Sequence, residues 1–373
     1  MINCHNLNGG GGLQVADSIC RQLNGYRYHH FIVVVSHHLA YTIDAIKSFP
    51  NVTIYEYEGE TRRLFGLKFN KYSYLDDLVE KERIDVVLTV FGPSMWKPKV
   101  PHLCGFARGH FVFFDSPYYQ LIGKFKTFID KIKYNLLAYY FKQNSKHIYT
   151  ENPYVTAKIK KLIRGVEVYT VTNYYHQVYD HIDLWAPLTL PKFEGVTLLT
   201  VSAMYPHKNL SIMVEIVKVL RARFPNFKFR FVLTIKFEQF PVSIDGIEDY
   251  FVFLGKVHVT NCPSLYQQAD IMFMPTLMEC FTATYPEAMR MGVPIVTTDL
   301  DFAHGLCGEA ACYYSALDAV SAADAIYKVA TDLDFANQLR QEGKMQLKKY
   351  DSYVQRVEKL FAICEQIANE KVI

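Results

Sequence analysis

Ala269-Asp270-Ile271-Met272-Phe273-Met274-Pro275, followed by Glu279-Cys280-Phe281-Thr282-Ala283-Thr284-Tyr285-Pro286-Glu287-Ala288-Met289-Arg290-Met291-Gly292 and then Ile295-Val296-Thr297-Thr298, is the stretch that decides the fold. An apolar run, a loop, a helical segment stopped by glycine and a second β-branched run read as strand, loop, helix, strand. A loop that ends a strand and opens a helix is where a parallel α/β sheet binds anionic ligands. Here the loop starts with one acid, Glu279, and the first helical turn holds a second, Glu287. Two carboxylates suit hydroxyl-rich groups better than phosphate. Glu287 would also complement the positive end of its helix, so a purely local role stays open for it.

The same alternation runs outward in both directions. Phe31–Val35, Asp85–Val90, Val196–Val201 and Lys228–Leu233 read as strands, and Ile212, Val214, Ile216, Val217 and Leu220 mark a helix with one apolar side. Continuous apolar strands between helices indicate parallel sheets covered on both faces. A chain of 373 residues is long for one core and suits two domains. The segment 181–195, with Trp185-Ala186-Pro187 and Leu190-Pro191, has no clean period and reads as the linker. The expected division is 1–182 and 183–352, with a final amphipathic helix from Tyr353.

The acid pair carries a resemblance. Glu279 and Glu287 with the seven residues between them are similar to the E-x7-E signature of retaining glycosyltransferases of the GT-B fold, the large family 4 (group 1). The similarity continues through Ile295–Ala303 and Cys307-Gly308-Glu309-Ala310-Ala311. It is dense from Val196 to Tyr314 and thinner before that. It implies two Rossmann-like domains facing across a cleft, the second holding the nucleotide and the last helix, 353–373, packing back on the first. It also implies transfer of a sugar from a nucleotide-activated donor to an acceptor hydroxyl, with retention. Glu279 would then bond hydroxyls of the donor sugar, and the N–H groups of Phe281, Thr282 and Ala283 would face the sugar or diphosphate. Glu287 would accept the ribose hydroxyls.

Other motifs find places in that scheme. In Val201-Ser202-Ala203-Met204-Tyr205-Pro206-His207-Lys208-Asn209, a lysine at a strand-to-helix junction can stabilise charge on a departing diphosphate. The family usually has Gly-Arg at Ser202 and Ala203, so Lys208 is retained and the arginine is not. Gly9-Gly10-Gly11-Gly12 lets backbone approach a ligand closely. It is neither a dinucleotide fingerprint nor a P-loop. By resemblance, Gly10, Gly11 and Gly12 line the donor-sugar and acceptor side. His110 is the choice for a histidine near the donor sugar, with His102 in reserve inside a strand. An ordinary structural role accounts for either equally well. Arg108 is a candidate for the missing cation. Asp299-Leu300-Asp301 resembles a metal-binding Asp-x-Asp but follows the wrong strand, so no metal is assigned.

Composition narrows the class. The net charge of +3 argues against a broad nucleic-acid-binding surface, and eight scattered cysteines without Cys-x-x-Cys point to reduced thiols. Met1–Asn6 does not read as a signal peptide, and no run approaches the roughly 18–20 apolar residues of a spanning helix. The expected location is the cytoplasm or the inner face of the cytoplasmic membrane. From Gly123 to Lys146, Lys124, Lys126, Lys131, Lys133, Lys142 and Lys146 accompany a single acid, Asp130, and Phe125, Phe128, Ile129, Ile132 and Leu136 share one helical side. That side can lie on an anionic membrane or pack on the sheet with the lysines solvated.

The resulting expectation is a retaining, metal-independent hexosyltransferase of surface-polysaccharide synthesis (O-antigen or capsule type). A nucleoside-diphosphate-sugar is its substrate and it needs no cofactor. Its acceptor is a glycan or polyprenyl-linked glycan, and it has no nucleic-acid partner. A catalytically silent GT-B protein that binds nucleotide or glycan, and a double-Rossmann oxidoreductase, are the alternatives.

Overall fold

The computed structural model describes residues 1–57, 61–64, 67–70 and 73–370, with backbone alone for 61–64, 67–70 and Ser73. The chain divides into two compact units. One comprises Met1–Val112, Phe128–Asn173 and Asp351–Ile373, and the other comprises Phe113–Thr127 and Tyr174–Tyr350. The division differs from a single boundary at 182, because the short segment 113–127 and residues 174–182 group with the second unit. Residues 371–373 of the expected final helix lie outside the described residues.

The first unit is built on β1 (Ile2–Asn3), β2 (Phe31–Val35) and β3 (Val52–Glu56), with a small antiparallel pair β4 (Thr61–Leu64) and β5 (Leu67–Asn70). It continues with β6 (Val87–Thr89), β7 (His102–Phe106), β8 (His147–Thr150) and β9 (Glu167–Thr170). The seven-stranded sheet runs β3-β2-β1-β6-β7-β8-β9 and every pairing is parallel. β2 is wholly buried, as its unbroken run of β-branched residues requires when helices cover both faces. The strand expected over Asp85–Val90 is shorter, and Ile2 and Asn3 pair with Leu88 and Thr89 beside it. The final helix, Tyr353–Asn369, starts with a capping box between Ser352 and Gln355. Its Val357, Leu360, Phe361, Cys364 and Ile367 join the core with Ile2, Val33 and Leu88.

The second unit contains β10 (Val196–Thr200), β11 (Phe229–Leu233), β12 (Phe251–Phe253), β13 (Ile271–Met274), β14 (Ile295–Thr298) and β15 (Ala311–Tyr314). They form a parallel sheet in the order β12-β11-β10-β13-β14-β15. The helix Ile212–Arg223 buries Ile212, Met213, Val214, Ile216, Val217 and Leu220, matching its sequence period. Each sheet reverses its winding once, at β10 and β13 in this unit and at β1 and β6 in the first. In an open α/β sheet, the crevice beyond the carboxyl ends of the strands at such a reversal is the default ligand site.

Candidate active site

The loops that leave β10 and β13 meet at the reversal of the second sheet. After β10 the chain makes a single 3-10 turn, Pro206–Lys208, and Asn209 follows in the left-handed region with φ of 51°. That turn delivers Lys208 to Glu279: Lys208 Nζ donates a hydrogen bond to Glu279 Oε1. Thr276 Oγ1 donates to the same oxygen at 2.9 Å. The two loops are also joined by backbone, since Leu277 N donates to the His207 carbonyl at 2.8 Å. From β14, Thr298 Oγ1 donates to the Thr276 carbonyl at 2.7 Å. The charged side chains are only 11% and 10% exposed, so each is the other's main compensation. Removing one partner from such a pair strands a charge, typically at a cost of about 3–5 kcal/mol.

Beyond Glu279 the chain passes Phe281, half-buried, and Thr282, whose hydroxyl lies 2.9 Å from that of Thr284. The helix Thr284–Met291 then begins after Ala283 without a side-chain cap and stops at Gly292, which has φ of 69°. An uncapped helix start leaves N–H groups and the positive dipole end for an outside acceptor. Glu287 faces inward from this helix and is 3% exposed. Tyr266 donates its hydroxyl to Glu287 Oε2 at 3.0 Å. Burial pushes the Glu287 carboxyl up to about 7, while the Tyr266 and Tyr179 hydroxyls pull it back. Ser202 N donates to Thr234 Oγ1 at 2.9 Å and Ser202 Oγ to the Ala203 carbonyl at 2.9 Å, whereas Ala203 itself is exposed.

The segment Phe113–Thr127 supports the same loops from outside. Ser116 Oγ donates to the Leu277 carbonyl at 2.7 Å and accepts from Tyr118 N at 3.1 Å. The Tyr118 ring stands edge-on to His207, with centroids 6.4 Å apart. The turn holding Lys208 and the loop holding Glu279 are thereby buttressed by one short stretch.

In the first unit the reversal is built from backbone. Gly10 has φ 67° and ψ −157°, a conformation open to glycine alone, and caps the helix Gly11–Cys20. Gly11 and Gly12 are therefore helical rather than part of a free loop. Asn6 Nδ2 donates to the Phe91 carbonyl at 2.7 Å, tying the loop after β1 to that after β6. His110 lies one strand further along, in the 3-10 turn Gly109–Phe111, with its ring stacked on Tyr134 at 5.1 Å. Arg108 precedes that turn and is exposed. His102 is buried in β7, with Nε2 2.8 Å from Thr89 Oγ1 and Nδ1 2.9 Å from the Asn144 carbonyl. Burial lowers its pKa to about 4, so the reserve candidate is a neutral core histidine.

Residues 195–332 match the family model described as glycosyl transferases group 1. No curated protein sequence matches the chain. Among solved structures, a glycosyltransferase from Rickettsia africae ESF-5 superposes with a TM-score of 0.70 at 16% identity, covering 98% of this chain and 97% of that one. The Anabaena protein HepE, solved with UDP and glucose, gives 0.66 at 12% identity, with 98% of each chain covered. WaaG, a glycosyltransferase involved in lipopolysaccharide biosynthesis, gives 0.67 at 14% identity, covering 98% of this chain and 99% of its own. The chain has the GT-B fold. The span of the GT-B protein that matches the family model contains Ser202, Ala203, Lys208, Glu279, Phe281–Ala283 and Glu287, and the fold brings these onto two adjoining loops and the first turn of the helix Thr284–Met291, all in one unit. Gly10–Gly12 and His110 belong to the other unit and lie outside that span.

Sequence reasoning about this GT-B protein missed Thr276, Tyr266, Tyr179 and Ser116. Nothing local marks them: a threonine after a strand and tyrosines among many aromatics carry no signal until the fold sets them beside a carboxylate. Asp299 and Asp301 give no metal cluster among the described residues; Asp299 Oδ1 instead lies 2.6 Å from His304 Nε2.

Proposed function

We propose that this GT-B protein transfers a hexose-type sugar from a nucleoside-diphosphate-sugar to a hydroxyl of a glycan or lipid-linked glycan, with retention at the anomeric carbon. The observation that carries this reading is the buried Lys208–Glu279 pair at the sheet reversal, beside an uncapped helix start. An arriving donor substitutes for both halves of that pair. Its diphosphate takes the lysine, and its sugar hydroxyls take the carboxylate. In transfer, the acceptor oxygen bonds to the anomeric carbon as the bond from that carbon to the diphosphate oxygen breaks. The acceptor proton passes to the departing phosphate on the same face. Lys208 and the N–H groups of Phe281, Thr282 and Ala283 meet the charge that develops there, so the step is assigned to them rather than to a metal. Glu287 takes the ribose hydroxyls once Tyr266 shares or yields its oxygen.

On the first unit, Gly10–Gly12 and His110 are assigned the acceptor and donor-sugar contacts that the resemblance implies. The solved neighbours crystallised with UDP, and the lipopolysaccharide role of WaaG, support a nucleotide-sugar donor and a surface-polysaccharide acceptor. No helix among the described residues is long and apolar enough to cross a membrane, which is compatible with action at the cytoplasmic face.

A thermal-shift screen against UDP, GDP, dTDP and ADP and their sugar conjugates tests the donor site, since a ligand of the folded state raises the melting temperature. One nucleoside diphosphate should shift it, and less so in Glu287→Ala. The anomeric configuration of the product, read by NMR, then tests retention. Binding without turnover would instead establish the silent GT-B alternative, which the exposed Ala203 in place of an arginine favours.

A further inference from the structure

The helix Lys124–Asn144 presents two apolar sides, and the fold uses only one. Tyr134, Leu137 and Phe141 are buried. Phe125, Phe128, Ile129, Ile132, Leu136 and Tyr139 are exposed, from 42% at Leu136 to 79% at Phe125. The apolar side expected either to cover the sheet or to meet a membrane is thus the one the protein leaves in water. Leu121, in the preceding short helix Tyr118–Ile122, is also 51% exposed. A single soluble protein seldom maintains six large apolar side chains in one contiguous line on its surface.

The charges around this stripe identify what covers it. At roughly 100° per residue, Lys124, Lys131 and Lys142 follow one border and Lys126 and Lys133 the other. All five are exposed, and the one acid of the helix, Asp130, falls on the opposite, buried side. Apolar residues bordered on both sides by lysines match a bilayer interface, where the rings enter the acyl boundary and the ammonium groups reach anionic headgroups. A second copy of the chain is a poorer match, since its lysine borders would face these. We propose that the Lys124–Asn144 helix is an interfacial anchor that docks the protein flat on an anionic lipid bilayer. The anchor stands independently of the catalytic reading.

Flotation of the full chain with vesicles tests this, using phosphatidylcholine alone and an equal mixture with phosphatidylglycerol. The protein should float with the anionic vesicles, release at high salt, and bind phosphatidylcholine weakly. Lys124→Gln and Lys131→Gln should each weaken partitioning about fivefold, the factor equivalent to about 1 kcal/mol per lysine. Phe125→Ser with Ile132→Ser should abolish it, while Lys192→Gln, at an exposed lysine outside this helix, should change nothing. These side chains are exposed, so the variants should melt like the parent. Equal binding to both vesicles, or indifference to the lysine changes, would overturn the proposal. So would a concentration-dependent dimer that Phe125→Ser dissolves, because the stripe would then be a protein interface.

Discussion

Beyond β10 and β13 the second unit sets a lysine and a glutamate in contact, buried and supported by Thr276, Thr298 and Ser116. Beyond β1 and β6 the first unit offers a glycine at φ 67° and a loop tied by Asn6 to a backbone carbonyl. The same sheet topology thus yields one candidate site made of side-chain charge and another made of backbone. A charged site stores its selectivity in particular atoms and loses it when one atom goes. A backbone site depends on conformation, and tolerates any change that leaves the dihedral angles alone.

The sharpest way to break this comparison is at the charged pair. Glu279→Ala and Lys208→Ala should each lower transfer by at least about 100-fold, in line with loss of a charge-stabilising group. Because each also strands a buried charge, both should lower the melting temperature. The double variant Lys208→Met with Glu279→Gln should recover much of that stability and none of the activity. Recovery of activity would mean that the pair is only structural.

Acid–base behaviour gives the next test, with one carboxyl from each unit whose pKa burial raises. Burial raises Glu287 from 4.5 to about 7 and Glu151 from 4.5 to about 8. Below 4.5 both are protonated whether the chain is folded or not. Above it, the unfolded chain releases protons that the folded chain retains, so stability should fall as pH rises towards 7 for Glu287 and 8 for Glu151. Melting curves across this range should flatten in Glu287→Gln and in Glu151→Gln. Curves unchanged by either substitution would show that neither carboxyl titrates in this way.

Gly10→Ala sharpens the backbone side of the comparison. A side chain at that dihedral pair costs about 1–3 kcal/mol, so the variant should melt several degrees lower. Gly11→Ala, in open space at the first position of the helix, should be neutral or slightly stabilising. The smallest effect is expected from Ser116→Ala. It removes the hydrogen bond to the Leu277 carbonyl and the one from Tyr118 N, each worth about 1 kcal/mol, and should lower kcat severalfold and the melting temperature slightly. An unchanged kcat would remove Ser116 from the support of the Glu279 loop.

The legible parts of the chain were those where a local rule has one outcome. The β-branched run of β2, the one-sided period of Ile212–Arg223 and the glycine stop at Gly292 followed from their own residues, because burial and φ at those positions depend on near neighbours. The start of the glycine helix was not legible, since nothing in four successive glycines says which of them takes the unusual dihedrals. His110 was preferred to His102 because the latter read as part of a strand, and β7 does bury His102 and leave His110 at a loop end.

The sequence by itself therefore determined the alternation of strands and helices, the presence of two acids on one strand-to-helix junction, and a helix with lysines beside aromatics. Only the tertiary structure decided that Lys208 reaches Glu279 across 71 residues, that Tyr266 covers Glu287, and that the apolar side of the Lys124–Asn144 helix stays in water. Periodicity fixes which residues share a face. What that face meets is set by elements distant in the chain, and no short-range preference encodes it.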